Sequence, residues 1–321
     1  MRVFANRIFI MTSIAKIISR EKFIEITKKN NFLAGIHMLI RTSLLVSCLS
    51  LADYFWNGQM VVLFIIFSYI YGVMISFIGF AGLAHELSHS SVFSSKALNK
   101  IFYFLACALV VENHEFFTRN HAYHHKNTFS ENDHEAIGSE EWSKNDFLRY
   151  FLIDYTSFVR KYFYTVVNSL GFDGKTLNVI QNKYKKAALK IVMINMFIHA
   201  ILWMLYNNHV INLIFIIGPF IGNIFPRYLA RAQHLGLAKY AEKGPLYHSR
   251  TLLLPKPLAF LYANMNYHIE HHLAPSVPYY NLPKLHSHLL EKGLITGESN
   301  FDYATRVFLP YIYKGKGLNN A

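Results

Sequence analysis

Charge is missing from this chain in two long blocks, and that bounds its fold more tightly than any motif. Residues 42–84 contain one charged side chain, Asp53, and residues 191–226 contain none. A helix needs about 20 apolar residues to cross the hydrocarbon core of a bilayer, so each block holds two crossings joined by a tight turn. The breaks fall at residues 53–59 and 207–209, where Asp, Asn, Gly and Gln interrupt the apolar run. Spans are therefore expected at about 36–55, 60–84, 189–206 and 210–227. Arg41 sits awkwardly in the first of them. It must snorkel to the interface, or the span begins after it.

The basic residues set an orientation. Residues 1–32 carry 7 Lys and Arg, residues 85–186 carry 12 and residues 227–321 carry 11, while the two short connections carry none. The positive-inside bias then puts both termini and the long central loop in the cytoplasm. Trp56 and Tyr206 lie where an aromatic belt forms. The net charge of +13 follows from this topology and from anionic headgroups, and it gives no reason to expect a nucleic-acid partner. The predicted fold class is an all-α integral membrane protein, with four transmembrane helices in two hairpins and a helical cytoplasmic cap. Residues 1–31, apolar but studded with seven basic side chains, read as an amphipathic interfacial segment. Residues 32–300 read as the membrane domain with its cap (85–188 and 228–300), and 301–321 as a tail. Residues 101–111 are apolar but too short to span, which suits a re-entrant or interfacial helix.

The chain has 17 histidines and 2 cysteines. Eight histidines fall in three clusters: His85 and His89; His121, His124 and His125; His268, His271 and His272. Spacings of three and four residues bring side chains to one face of a helix. Imidazole is the commonest nitrogen ligand for transition metals. Eight exceed the three or four protein ligands of a mononuclear zinc site and suit two metals with positions left open. Cys48 and Cys107 lie in apolar stretches, and two cysteines exclude a disulfide framework or a four-cysteine iron–sulfur cluster. His37, His114, His134, His199, His209, His248, His286 and His288 are expected to be ordinary packed or hydrogen-bonded histidines, His134 and His248 being the two nearest to exceptions.

These clusters resemble the three histidine boxes of the membrane fatty acid desaturase and hydroxylase superfamily. The likeness spans roughly residues 60–290. It includes the order of the boxes and the stretch Asn264-Met265-Asn266-Tyr267 leading into His268 with Pro275-Ser276-Val277-Pro278 leaving it. The resemblance implies a di-iron centre on the cytoplasmic side that uses O2 and two electrons to break a C–H bond of a lipid or acyl substrate. It also implies a ninth metal ligand, for which His234 stands in the expected place, and an Arg-Thr pair matched by Arg250-Thr251. Animal acyl-CoA desaturases carry Asn where this chain has Ala230, and a longer first box. The likeness is closer to bacterial and plant-type lipid desaturases and to alkane or carotenoid oxygenases, and a bacterial inner membrane is the expected location. Glu86, Glu270, Asp133 and Glu135 are candidate acceptors for the second nitrogens of the ligand imidazoles. No haem or dinucleotide motif is present, so a separate electron donor is implied: a ferredoxin, or a cytochrome with its reductase. Within the resemblance the expected reaction is desaturation of an acyl chain, the alternative being hydroxylation or ketone formation on an alkyl, acyl or carotenoid chain. A more distant alternative comes from the first box alone, which also reads HExxH, the pattern of a zinc metalloprotease with Glu86 as base.

Overall fold

The computed structural model describes residue 14 and residues 17–130, 133, 135, 160–172, 184–295, 299 and 300. His134 and the tail 301–321 lie outside them. The described residues are almost wholly helical. A short helix α1 (Arg20–Thr27) precedes α2 (Asn31–Asn57) and α3 (Val61–Ser76). A π-helical turn, Phe77–Ala81, joins α3 to α4 (Leu83–Ser88). Then come α5 (Lys96–Leu109), α6 (His114–Lys126), α7 (Arg160–Ser169), α8 (Lys185–Tyr206), α9 (His209–Gly222) and α10 (Ile224–Ala232). The last part holds α11 (Pro245–His248), β1 (Leu252–Leu253), α12 (Lys256–Leu261), α13 (His268–Leu273), α14 (Leu282–Glu291) and β2 (Ser299–Asn300). The two-residue strands pair in parallel and are the one element not foreseen in an all-helical chain.

Four helical stretches are long and apolar enough to cross a membrane: Asn31–Asn57, Val61–Ser88, Lys185–Tyr206 and His209–Ala232. At 1.5 Å per residue the first is about 40 Å long. It starts where the Asn30 side chain accepts from Leu33 N–H at 3.0 Å, an N-cap bond. Its buried residues Ala34, Met38, Arg41, Leu45, Leu49 and Ala52 form one stripe at three- and four-residue spacing. The outward faces of the long helices are also apolar: Leu39 is 67%, Met204 73% and Leu205 72% exposed. Water would not tolerate such a belt, whereas lipid requires it.

All four helices exceed the expected spans. The excess on Val61–Ser88 and His209–Ala232 lies at the ends that lead to the histidines, where the apolar run has stopped but the helical backbone continues. The first break is also later than expected. Helix α2 runs through Asp53 to Asn57, and Asp53 accepts from the Asn208 side chain at 2.6 Å. The last turns of α2 are thus fastened to the second connection. The second break is as read: Asn207 is left-handed, and Asn208 caps α9 by accepting from Val210 N–H at 2.9 Å.

Arg41, on α2, is 1% exposed, packed between that helix and residues near the third cluster. Its Nη1 donates to the carbonyl of His37 and to the Tyr279 hydroxyl, and its Nη2 donates to the carbonyl of Phe260. The guanidinium lies 4.2 Å from the Phe260 ring centroid. Carbonyls and ring faces replace its hydration, as a buried cation requires.

Helices α3 and α9 cross at backbone contact. Gly218 and Gly222 form a GxxxG step against Gly72, and a Cβ at Gly222 would fall 1.8 Å from the carbonyl carbon of Gly72. Small residues at such crossings let membrane helices approach closely. The apolar stretch 101–111 belongs to α5, which ends at a 104° bend into α6. Residues 26–31 are tied to the part of the chain that carries the histidines. Asn281 donates to the carbonyl of Ile26 at 2.9 Å, Tyr280 accepts from Asn30 N–H at 2.7 Å, and Asn31 accepts from Ser94 N–H at 2.8 Å.

Candidate metal centre

Each cluster is delivered by a short element anchored by its flanks. His85 lies on α4, just beyond the π-turn, and His89 is the residue that ends that helix. Gly82 opens α4, where a side chain would strike the carbonyl of Tyr262 at 2.9 Å. Its absence lets the strand of chain before the third cluster press against the first. The second cluster rides on α6, whose N-terminus is capped by Asn113 accepting from Phe116 N–H. The third rides on α13, only six residues long. Before it, Ala263 and Asn264 take left-handed backbone at φ 51° each. After it, Tyr279 is held by Arg41.

These elements bring all nine sequence-predicted histidines together, in two groups. His85, His89, His121, His125 and His271 form one; His124, His234, His268 and His272 form the other. Within each group the ligand nitrogens lie within 4.8 Å of one another. His89 and His125 are partly exposed and the other seven are buried. The two groups adjoin, with the rings of His125 and His272 4.4 Å apart.

The nitrogen spacing carries chemical information. Six Nε2 pairs approach at 2.8–3.1 Å: His85–His271, His89–His121, His121–His125, His125–His271, His234–His268 and His268–His272. His234 donates its Nδ1–H to the carbonyl of His248 at 2.9 Å, so its Nε2 presents a lone pair to the group. The same holds for His121, whose Nδ1 donates to Glu135 at 2.9 Å, and for His124, whose Nδ1 donates to Asp133 at 2.9 Å. Lone pairs converging in a buried space repel unless a cation lies between them. With a metal–nitrogen bond of about 2.1 Å, ligands at right angles sit about 3.0 Å apart, and tetrahedral ligands about 3.4 Å. These six pairs lie within reach of a shared ion, and the wider pairs of each group run to at most 4.8 Å. The donor set therefore fits two metal ions.

Electrostatics agree. Burial drives the pKa of His89 and of His271 down to about 3. His121, His125, His234, His268 and His272 are also held well below the usual value, by burial first and then by neighbouring imidazoles. All are neutral at pH 7 and ready to ligate. His124 is the exception. Burial pushes it down, but the hydrogen bond to Asp133 and the charges of Glu135 and Asp133 outweigh this and raise it. For Asp133, burial works upward, and the His124 contact with the N–H groups of Phe129 and Glu135 prevails to lower it.

The four acids behave differently from one another. Asp133 and Glu135 each hold a cluster histidine. Asp133→Ala is expected to weaken metal binding about 10- to 100-fold, the usual cost of losing an outer partner of a ligand histidine. Metal titration followed by isothermal calorimetry measures this, and unchanged affinity refutes it. Glu86 lies 2.7 Å from Nδ1 of His271, but the approach is misaligned and neither completes a hydrogen bond. Glu270 faces away from the cluster nitrogens. It accepts from His286 Nδ1 at 2.6 Å and from the Thr251 hydroxyl at 2.5 Å, and so anchors α13 to α14 and to the segment before α12.

Two contributors escaped the sequence reading: the carbonyl of His248 fixes His234, and His286 fixes Glu270. Arg250, singled out with Thr251 by the resemblance, donates to the carbonyls of Ala232 and Leu235 at 3.1 and 2.5 Å, pinning the chain on both sides of His234. His114 packs on Tyr103 and Phe104 away from both groups. His37, His199, His209 and His288 meet Tyr279, Asn212, Trp203 and Glu291 respectively. Both cysteines are free thiols outside the centre.

Residues 59–297 match the family model described as fatty acid desaturase. No curated protein matches the chain.

Proposed function

Since the chain belongs to the fatty acid desaturase family, we propose that it is an O2-dependent membrane desaturase that introduces a double bond into a lipid acyl chain, with one iron ion in each histidine group. The observation that carries this reading is the convergence of nine imidazoles into adjacent groups of five and four. Iron, when bound, would bind and activate O2, the oxidant, for attack on an unactivated C–H bond, which no side chain can do. The chain's own residues do the rest. Asp133, Glu135 and the carbonyl of His248 hold imidazole Nδ1–H groups so that each Nε2 points inward. Burial of the ligands excludes water from the path of the reaction. Groups of five and four imidazoles exceed the ligand set of a zinc site with three protein ligands, which supports two irons over one zinc. The grouping also counts against the HExxH protease reading, since His85 and His89 share their group with three more imidazoles.

In this reading the four long helices form two hairpins, and both termini and the histidines lie on the cytoplasmic face of a bacterial inner membrane, as the basic residues indicate. Electrons come from a separate ferredoxin or cytochrome with its reductase. The test is mass spectrometry of membrane lipids with and without expression of the protein. Loss of two mass units on an acyl chain is the expected result. A gain of sixteen would replace desaturase by hydroxylase, and metal analysis giving one zinc per chain in place of two irons would overturn the site.

A further inference from the structure

The two groups are unequal: five imidazoles in one and four in the other. We propose that the His248 ring is a tenth imidazole of the centre, and that its Nε2 is the fifth nitrogen ligand of the ion held by His124, His234, His268 and His272. The inference rests on the two-metal reading above.

His248 is 5% exposed. Its ring lies 5.6 Å from that of His272 and 6.5 Å from that of His234. Rings within the four-histidine group are 4.5–5.1 Å apart, so His248 stands just outside the group, beside two of its four members. Its Nδ1 is engaged by the Ser249 hydroxyl at 3.1 Å. That leaves Nε2 for a metal, the division of labour seen in His121, His124 and His234. Its own carbonyl already holds the Nδ1–H of His234, so the backbone of His248 is in register with the group whether or not the ring ligates. Turning the His248 side chain toward His272 would give the two ions equal numbers of imidazoles.

The two roles of the residue separate experimentally, because substitution removes the ring and keeps the carbonyl. Metal-free protein is titrated with cobalt(II) under anaerobic conditions. Wild type is expected to bind two ions per chain. In His248→Ala the second ion is expected to bind at least about tenfold more weakly, with stronger visible absorption as its coordination number falls, and added imidazole is expected to restore both affinity and spectrum. His248→Gln, which keeps side-chain volume, is expected to show the same weakening and serves if the alanine variant fails to fold. Unchanged affinity and spectrum in a folded variant overturn the proposal. So does a loss that imidazole does not reverse, which is what a purely structural role gives. Wild type binding fewer than two ions would instead overturn the two-metal reading itself.

Discussion

Gly222→Val is expected to leave no folded protein in the membrane. At this position a Cβ would lie 1.8 Å from the carbonyl carbon of Gly72 and 2.1 Å from the nitrogen of Val73, and a Cβ on Gly72 would lie 2.4 Å from the Gly218 carbonyl oxygen. Every obstructing atom is backbone, so no side chain can rotate aside. Helices α3 and α9 would have to separate along their whole crossing. Overpacking of a core that can relax costs about 1–3 kcal/mol; this crossing cannot relax and should exceed the upper figure. Separation would also displace the π-turn and the first cluster beyond it. Gly35, with nothing within 4 Å of its ideal Cβ, is the control: Gly35→Ala should be neutral or slightly stabilising. The readouts are yield of monodisperse protein in detergent and its melting temperature. A Gly222→Val protein that melts like wild type would refute the argument.

His124→Ala is expected to lower metal content from two ions to one and turnover by more than the roughly 100-fold that bounds losses from outer partners. His124 is one of only four nitrogens in its group, and its ring lies 5.1 Å from His234 and 4.9 Å from His272. Its removal also takes the imidazole partner from Asp133, which is fully buried, although the N–H groups of Phe129 and Glu135 still point at that carboxylate. Metal analysis and turnover on the same preparation, with helicity checked by circular dichroism, decide the matter. Retained turnover would remove the metal groups from the chemistry altogether.

The long apolar helices and the clustered histidines were legible because both are local signals. An apolar run is a property of neighbouring residues, and so is a spacing of three or four. What the sequence could not show was how the histidines divide. His121, His124 and His125 share a face of one turn, yet His121 and His125 enter one group and His124 the other. The third cluster repeats this, with His268 and His272 together and His271 apart. Residues four apart are separated by about 40° around the helix, whereas neighbours differ by about 100°. Each helix therefore inserts between the two groups and serves both, a fact of tertiary placement. The partners of Arg41 were hidden for a similar reason: Phe260 and Tyr279 are more than two hundred residues away along the chain. Glu270 is an expected acceptor because it sits inside the third cluster, but the imidazole it accepts from is His286, outside the clusters, with Thr251 as its second partner. The GxxxG step was readable in residues 218–222 and went unread, since a glycine pair carries no address for the helix it meets.

The π-turn at residues 77–81 has a meaning for how such a chain can change. Gly82 N–H bonds the carbonyl of Phe77, five residues back, so the wall of the helix carries one residue beyond the α-helical count. That residue offsets the phase of everything after it by about 100°. Before the offset, side-chain direction answers to lipid and to α9; after it, to the metal groups. Substitutions that retune thickness or lipid preference in α3 therefore leave the aim of His85 untouched, whereas deletion of a single residue between 77 and 81 would swing His85 out of the centre while altering no ligand.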